Sequence, residues 1–167
     1  MDASEQDSRF REWHRDHQGI ILRIARANAS NLADQEDLVQ EISLQIWNSI
    51  PGFKESCKAS TWVYRVALNT AIGWGRKEKS QREKKQELAA NLHILKETSE
   101  PRNGKLEWIY EQIRQLDPID RSLILLHLDG QSYQEIADIL GISEKNVGVK
   151  LSRLRQALTK KANDDDI

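Results

Sequence analysis

The most informative segment of the chain runs from Ser132 to Leu158 and reads SYQEIADILGISEKNVGVKLSRLRQAL. Ser132 and Glu135 form a capping box, which predicts a helix start because both side chains satisfy backbone amides there. Gly141 predicts the end of this helix, since glycine readily adopts the left-handed conformation of a C-terminus, and Ser143 can cap a second helix. The apolar residues of the second helix recur at spacings of four, three and four, at Val147, Leu151, Leu154 and Leu158. Two short helices joined by a three-residue glycine-containing turn predict a helix-turn-helix.

The face of the second helix opposite this apolar stripe is basic and polar. It carries Lys145, Asn146, Lys150, Arg153 and Arg155. Such a face can lie in the major groove of DNA, with amide or guanidinium groups at base edges and other cations on phosphates. The alternative is an amphipathic pair in a helical bundle, whose polar face is only solvated. The caps, the turn and the basic second helix together favour duplex DNA.

Charge is distributed unevenly along the chain, although the totals nearly cancel. The 167 residues include 25 Lys plus Arg and 26 Asp plus Glu, so no global field attracts nucleic acid. Residues 60–86 hold seven basic and two acidic side chains, residues 132–161 hold six and three, and residues 30–47 hold four acids and no base. Two basic zones and one acidic zone predict two contacts with DNA and one with another partner.

Several classes of protein are disfavoured by the sequence. The one cysteine, Cys57, excludes an internal disulfide and a cysteine-rich metal site, which fits a reducing cytosol. We expect no membrane insertion, because no apolar run approaches about 18 residues. His14 and His17 lie one helical turn apart, but no carboxylate or cysteine set completes a metal site beside them. We therefore expect an intracellular, cytoplasmic protein with no catalytic residues, no metal and no cofactor.

The N-terminal part predicts two helices after a loose segment of residues 1–8. The first helix runs from Arg9 to near Asn28, and the second begins with Asp34 as its N-cap and ends at Pro51 and Gly52. The outer side of the second helix is acidic and rich in amides, at Asp37, Gln40, Glu41 and Gln45. This strip is equally consistent with a solvated face and with a surface for a protein partner.

A long third helix, capped by Ser60 or Thr61, combines aromatic and cationic residues. Rings can stack on unpaired bases while cations hold the backbone, so this combination suits single-stranded nucleic acid. The candidates for such contacts are Lys58, Thr61, Trp62, Arg65, Asn69, Arg76 and Lys77. Trp62 is equally consistent with a role as a core anchor, and for Trp74 the core role is favoured.

The sequence predicts an all-α protein, and its composition divides the chain into two small helical domains. Residues 1–79 form the first domain, and the polar residues 80–105 form a flexible linker in which leucines allow some helix. Residues 106–161 form the second domain, where Asp117 caps a helix with Pro118 at its first position. Residues 162–167 are an acidic tail.

Three segments in this order resemble the extracytoplasmic-function (ECF) group of bacterial sigma factors, within the sigma-70 family. The segments are DQEDLVQEISLQIW at residues 34–47, STWVYRVALNTA at residues 60–71, and LDPIDRSLILLHLDGQSYQEIADILGISEKNVGVKLSRLRQAL at residues 116–158. Three motifs in order are far more specific than any one of them, and the likeness covers nearly the whole chain.

The resemblance implies a promoter-recognition subunit of RNA polymerase. It implies that the acidic strip at residues 37–45 docks on the clamp helices of the β′ subunit in the core enzyme. It also implies that residues 58–77 recognise and melt the −10 promoter element, and that residues 145–155 recognise the −35 element. Core RNA polymerase and promoter DNA are the expected partners, and an anti-sigma factor is a further partner that the resemblance allows.

Two pairs of residues depart from the family pattern. Ala59 and Ser60 stand where an aromatic residue usually precedes the Thr-Trp pair, so the anchoring of the preceding loop stays open. Gly148 and Val149 replace residues that are usually polar or basic, and Gly148 costs about 1 kcal/mol of helix stability relative to alanine. Two rival functions also remain at this point. One is a stand-alone helix-turn-helix regulator that binds operators, and the other is a helical interaction protein without DNA binding.

Overall fold

The computed structural model describes residues 1–88 and 104–167, and within these ranges the chain forms α-helices and no strand. The helices are α1 (Ala3–Asn28), α2 (Leu32–Ser49), α3 (Ala59–Leu88), α4 (Gly104–Gln115), α5 (Pro118–Leu128), α6 (Tyr133–Leu140) and α7 (Glu144–Asp164). A short 3₁₀ turn, Ile50–Gly52, follows α2. The predicted all-α class is therefore confirmed.

The helices α1, α2 and α3 pack against one another as a three-helix bundle. Each contributes apolar residues at helical spacing to the interior, as Leu38, Ile42 and Ile46 do from α2. Ile24 of α1 and Val63 of α3 are buried beside them. These contacts leave the polar faces of α2 and α3 toward solvent.

The C-terminal unit follows the sequence-based expectations closely. Asp117 accepts hydrogen bonds from the amides of Ile119 and Asp120, both at 3.0 Å, with Pro118 at the first position of α5. The Ser132 capping box is formed at the start of α6, and Gly141 ends that helix with a φ of 69°. The side chain of Ser143 caps α7, whose stripe is buried at Val147, Leu151 and Leu154 and half-buried at Leu158. The predicted helix-turn-helix is present.

Three predicted helix starts were wrong. Residues 1–8 are not a loose segment, because Asp2 caps α1 and forms a capping box with Glu5. Asp34 is not the N-cap of α2, since Asn31 accepts from the amide of Asp34 at 2.8 Å and the helix begins at Leu32. Neither Ser60 nor Thr61 caps α3, which begins at Ala59.

Helices extend into both ends of the segment predicted as a linker at residues 80–105, in which the leucines allow some helix. The helix α3 continues to Leu88, and α4 begins at Gly104. The remaining part of that prediction, residues 89–103, lies outside the described residues.

The two units contact each other. The helix α1 packs against α4 and α5, and α3 packs against α6. The helix-turn-helix therefore lies directly against the aromatic and cationic helix of the N-terminal bundle.

Candidate nucleic-acid and protein interfaces

The polar face of α7 is only partly as predicted. Lys145, Asn146 and Arg153 are exposed and point away from the buried stripe. Lys150 is half-buried, and its Nζ lies 3.1 Å from Oδ1 of Asp120. Arg155 is exposed, with Nη2 at 3.2 Å from Nε2 of His127. Three of the candidates therefore face outward, whereas Lys150 and Arg155 contact other side chains of the C-terminal unit.

Gly148 and Val149, the two residues of α7 that depart from the family pattern, occupy different environments. A Cβ added at Gly148 would lie 3.5 Å from the ring of Tyr133, which is an ordinary van der Waals distance. Val149 is exposed among the polar candidates. An apolar side chain on a DNA-facing surface can contact the methyl group of thymine.

Four of the candidates on α3 share one face. Trp62, Arg65, Asn69 and Arg76 follow at intervals of three, four and seven residues, which keeps them on the side opposite the buried residues. Asn69 and Arg76 are exposed, whereas Trp62 and Arg65 are half-buried. Lys58 precedes the helix and is exposed, and Thr61 in its first turn is half-buried.

An aromatic cluster anchors the start of α3. The ring of Phe53 lies 5.6 Å from that of Trp62 and 5.1 Å from that of Trp13, measured between centroids. The indole N–H of Trp62 donates to Oγ of Ser49 at 3.0 Å. Trp62 is therefore a packing residue that keeps part of its surface accessible. The sequence did not single out Phe53, although an aromatic residue in an otherwise polar loop was the available signal.

Trp74 also packs against the hydrophobic core while remaining half-buried. Its ring borders a groove of about 500 Å³ between α2 and α3. The core role favoured from the sequence therefore agrees with its position.

That groove brings together two sets of candidates that the sequence assigned to different partners. It is lined by Asp37, Glu41 and Gln45 of α2 and by Asn69, Thr70, Gly73, Trp74 and Lys77 of α3. Asp37 and Gln40 are exposed, whereas Glu41 and Gln45 are half-buried and joined by a 2.9 Å hydrogen bond. The acidic strip and the basic side of α3 are therefore neighbouring surfaces with one shared border.

Two cations of α3 and its preceding loop contact the helix-turn-helix. Arg65 donates a hydrogen bond to the main-chain carbonyl oxygen of Asp138 in α6. Nζ of Lys58 lies 3.6 Å from Oε1 of Glu135 in the same helix. The sequence gave no indication of these contacts, because they join residues more than 70 positions apart.

Beside these cations, Asp129 connects three helices. It pairs with Arg23 of α1 and accepts a 2.5 Å hydrogen bond from the hydroxyl group of Tyr64 in α3. Burial, and then the hydrogen bond to Asp129, raise the pKa of the Tyr64 phenol well above its usual value. Burial lowers the pKa of the neighbouring His17, against the opposing effect of the Asp16 and Asp129 carboxylates.

A second polar contact joins α1 to α4 and α5. Glu107 accepts from Arg114 at 2.6 Å and from Arg26 at 3.0 Å, and the hydrogen bond from Arg114 is the main cause of its lowered pKa. Nη1 of Arg121 donates to Oδ1 of Asn28 at 2.7 Å. Burial lowers the pKa of the Arg121 guanidinium, whose ordinary value is so high that it stays charged.

Within residues 1–88 and 104–167, no group of three or more His, Cys, Asp or Glu residues is placed to hold a metal ion. His14 instead packs on Phe10, with ring centroids 5.4 Å apart. No helix in the same ranges is long and apolar enough to cross a membrane.

Comparison with known families gives two matches in chain order. Residues 13–81 match the family model described as Sigma-70 region 2, and residues 106–158 match that described as Sigma-70, region 4. The ECF RNA polymerase sigma-E factor of Escherichia coli is 31% identical over 144 residues, covering 77% of this chain and 73% of that protein. The RNA polymerase sigma factor YlaC of Bacillus subtilis is 28% identical over 154 residues, covering 89% of each.

Solved structures with the same fold are also found. CnrH, in complex with the cytosolic domain of CnrY, superposes with a TM-score of 0.68 at 22% identity, covering 93% of this chain and 88% of that one. The sigma factor RpoE, in complex with the anti-sigma factor NepR from Bartonella quintana, gives a TM-score of 0.64 at 18% identity, with coverages of 89% and 95%. At these identities the likeness shows the shared fold.

Proposed function

Since this chain belongs to the ECF group of RNA polymerase sigma factors, we propose that it directs core RNA polymerase to specific promoters through three surfaces of its own. The acidic strip of α2 binds the clamp helices of the β′ subunit. The outer face of α3 holds the opened strand at the −10 element. The outer face of α7 binds duplex DNA at the −35 element. The chain has no catalytic role in this proposal and acts in the bacterial cytoplasm, where the polymerase is.

The arrangement of α3 is the observation that carries the proposal. Trp62, Arg65, Asn69 and Arg76 lie on one face, and Phe53 and Ser49 fix the orientation of the Trp62 ring. Opened strands need both a ring for stacking and cations for the backbone, and this face supplies both. A regulator that binds only intact duplex has no use for such a helix.

Chemical differences between the three surfaces support their assignment to different partners. The α2 strip has an exposed carboxylate at Asp37, which repels phosphates, beside the exposed amide of Gln40. The α7 face has exposed cations at Lys145 and Arg153 with the amide of Asn146 between them, the groups that bind phosphates and base edges. We propose an anti-sigma factor as a further protein partner.

Reconstitution tests the proposal directly. Purified protein mixed with core polymerase should co-elute with it and support run-off transcription from a subset of promoters in a genomic library. Binding to core polymerase without transcription would contradict promoter opening by this chain. Binding to duplex DNA without any binding to core polymerase would favour the stand-alone regulator instead.

A further inference from the structure

The outward face of α7 has an apolar residue at its centre. Val149 is 42% exposed, and within α7, all of which the structure describes, it is the one exposed large apolar side chain. Residues three and four positions apart are neighbours on the surface of a helix. The neighbours of Val149 by this rule on the outward face are all polar and exposed: Lys145, Asn146, Ser152 and Arg153.

The packing of α7 does not account for this valine. The apolar stripe that holds the helix in its unit lies on the opposite side, at Val147, Leu151 and Leu154. A β-branched residue also favours a helix less than alanine does, because its χ1 angle is restricted. Single exposed apolar residues are common on protein surfaces, so exposure alone indicates no function. The position of Val149 does, because in a helix-turn-helix the residues near the start of the second helix reach the base edges.

We propose that Val149 recognises the 5-methyl group of a thymine in the −35 element and thereby determines specificity at that base pair. The proposal rests on the proposed function, because it concerns the face of α7 assigned above to duplex DNA. Thymine is the one base that presents a methyl group in the major groove, and apolar side chains recognise it by direct contact. Such a contact removes both the valine and the methyl group from water.

Two local features prepare Val149 for this contact. Gly148 has no side chain, so a base edge can approach the valine closely from that side. The ring of Tyr133 lies 3.5 Å from the position that a Cβ of Gly148 would take, and this ring is itself 42% exposed. Valine adopts essentially one rotamer in a helix, so its methyl groups are held in place before DNA binds and little conformational entropy is lost on binding.

Polar residues on both sides of Val149 can hold it against a base pair. Asn146 lies one helical turn before it and Arg153 one turn after it, and both are exposed. An amide can bind an adenine edge or a phosphate, and a guanidinium group can bind a guanine edge or a phosphate. The valine side chain has no hydrogen-bonding group of its own. It can therefore recognise thymine only by the methyl group.

Replacing thymine by uracil tests the contact, because uracil pairs as thymine does and lacks only the 5-methyl group. The holoenzyme first selects promoters from a library with a random −35 element, and each thymine of a selected element is then replaced in turn. Fluorescence anisotropy measures binding of the holoenzyme to each labelled duplex. One replacement should weaken binding about fourfold in the wild type, the effect of one methyl-sized group left in water. In Val149→Ala the same replacement should have no effect.

Ile119→Ala is the matched control. Ile119 is 43% exposed in α5 of the same unit, and it stands between Asp117 and Asp120 in the chain, so its surroundings are acidic. This variant should keep the wild-type loss of affinity for the uracil duplex. Val149→Ala removes an exposed side chain from a helix in which alanine is favoured, so it should fold as the wild type does, and thermal unfolding checks this.

Three results would overturn the proposal. The selected −35 elements could lack thymine, or no single replacement could weaken binding of the wild type. The loss of affinity could also be equal in the wild type and in Val149→Ala, which would assign it to the shape of the DNA. Run-off transcription together with any of these results would contradict only the role of Val149. A holoenzyme that selects no promoter and makes no transcript would overturn the proposed function, and this proposal with it.

Discussion

Arg153 and Lys150 are both cations of the predicted DNA-binding face, yet their surroundings differ. Arg153 is exposed, whereas the ammonium group of Lys150 lies 3.1 Å from the Asp120 carboxylate within its own unit. A paired cation must give up or share its partner to bind a phosphate, so it contributes less free energy to DNA binding. The two residues were equivalent in the sequence, and the packing of α7 against α5 makes them unequal.

Arg153→Ala should therefore weaken duplex binding more than Lys150→Ala. If Arg153 contacts a phosphate, the slope of log affinity against log salt should fall by about 0.9 with sequence preference kept. If it contacts a base edge, preference should relax at one position, at a cost of roughly 1–3 kcal/mol. Anisotropy titrations of a promoter selected by the holoenzyme measure both, with Lys160→Ala near the end of α7 as a control. Equal losses of duplex affinity in the Arg153 and Lys150 variants would contradict the expected difference between the exposed and the paired cation.

Arg65→Ala should leave binding to core polymerase intact and reduce opening of the −10 region, because Arg65 lies on the face of α3 proposed to hold the opened strand and not on the α2 strip. Permanganate footprinting measures the opening, and a pre-melted template should rescue the variant if its defect lies in melting. Wild-type opening on a fully paired promoter would count against a role for Arg65. Trp62→Ala is a poorer probe, since its ring packs on Phe53 and its removal could cost about 3–5 kcal/mol of stability.

For single helices, the caps could be predicted from the sequence, because a cap depends on residues that are close together along the chain. The caps of α5, α6 and α7 were predicted correctly because each joins residues two or three positions apart. The same signal is present at Asp2 and Glu5, so the start of α1 was predictable in principle. The start of α2 was harder, because Asn31 and Asp34 are both good caps, and in the structure Asn31 accepts the hydrogen bond from the amide of Asp34.

The acidic strip can be tested as one element of α2. Asp37→Lys combined with Glu41→Lys should abolish co-purification with core polymerase, because two charges reverse on a surface proposed to dock there. Asp37 is exposed, so its substitution should change the free energy of unfolding by about 0.5 kcal/mol or less. Glu41 is half-buried and accepts a 2.9 Å hydrogen bond from Gln45, so its substitution should cost about 0.5–1.5 kcal/mol. Glu12→Lys on the exposed side of α1 is the control for a simple change of net charge. A folded double variant that still binds the core enzyme normally would remove the strip from the proposal.

Gly148 gives a stability prediction for α7. A Cβ at this position meets only the Tyr133 ring at 3.5 Å, and the residue is inside a regular helix. Gly148→Ala should therefore stabilise the protein by about 0.5–1 kcal/mol, the difference in helix propensity. Thermal unfolding should show a rise in Tm of about 1–4 °C. A decrease would mean that the glycine is needed for close packing against Tyr133.

For the whole molecule, the sequence predicted two units but not how they meet. Arg65 contacts a residue 73 positions away, and Tyr64 contacts one 65 positions away. Helical periodicity shows which face is apolar, but it carries no information on which distant polar groups will pair. The apolar face of each helix was therefore predictable from the sequence, whereas the covering of one polar surface by another was not.

His17 lies at this contact between the units and gives a prediction for the pH dependence of the whole molecule. It is half-buried on α1, with its ring 6.1 Å from that of Tyr64, and it faces the carboxylates of Asp16 and Asp129. Burial lowers its pKa below 6.5 despite those two charges. A base with a depressed pKa stabilises the packed state above the pKa that it has when unfolded, and this stability is lost as the pH falls through the lowered value.

We therefore expect the melting temperature to fall between pH 7.5 and pH 5.5, and to fall less in His17→Gln, which cannot take up a proton. Three carboxyl groups with lowered pKa values affect stability only at lower pH, because they titrate below their ordinary values of 4.5 and 3.8; they are those of Glu107, Asp117 and Glu135. Differential scanning calorimetry between pH 7.5 and pH 5.5 separates the effect of His17 from that of these carboxyl groups.

Small-angle scattering on the same samples distinguishes two ways in which protonation of His17 can lower the melting temperature. If protonation of His17 separates the units, the radius of gyration rises before the heat of unfolding changes, and if it destabilises only the α1–α3 bundle, both change together. A wild-type melting temperature that does not vary between pH 7.5 and pH 5.5 would mean that His17 is solvated in the packed molecule.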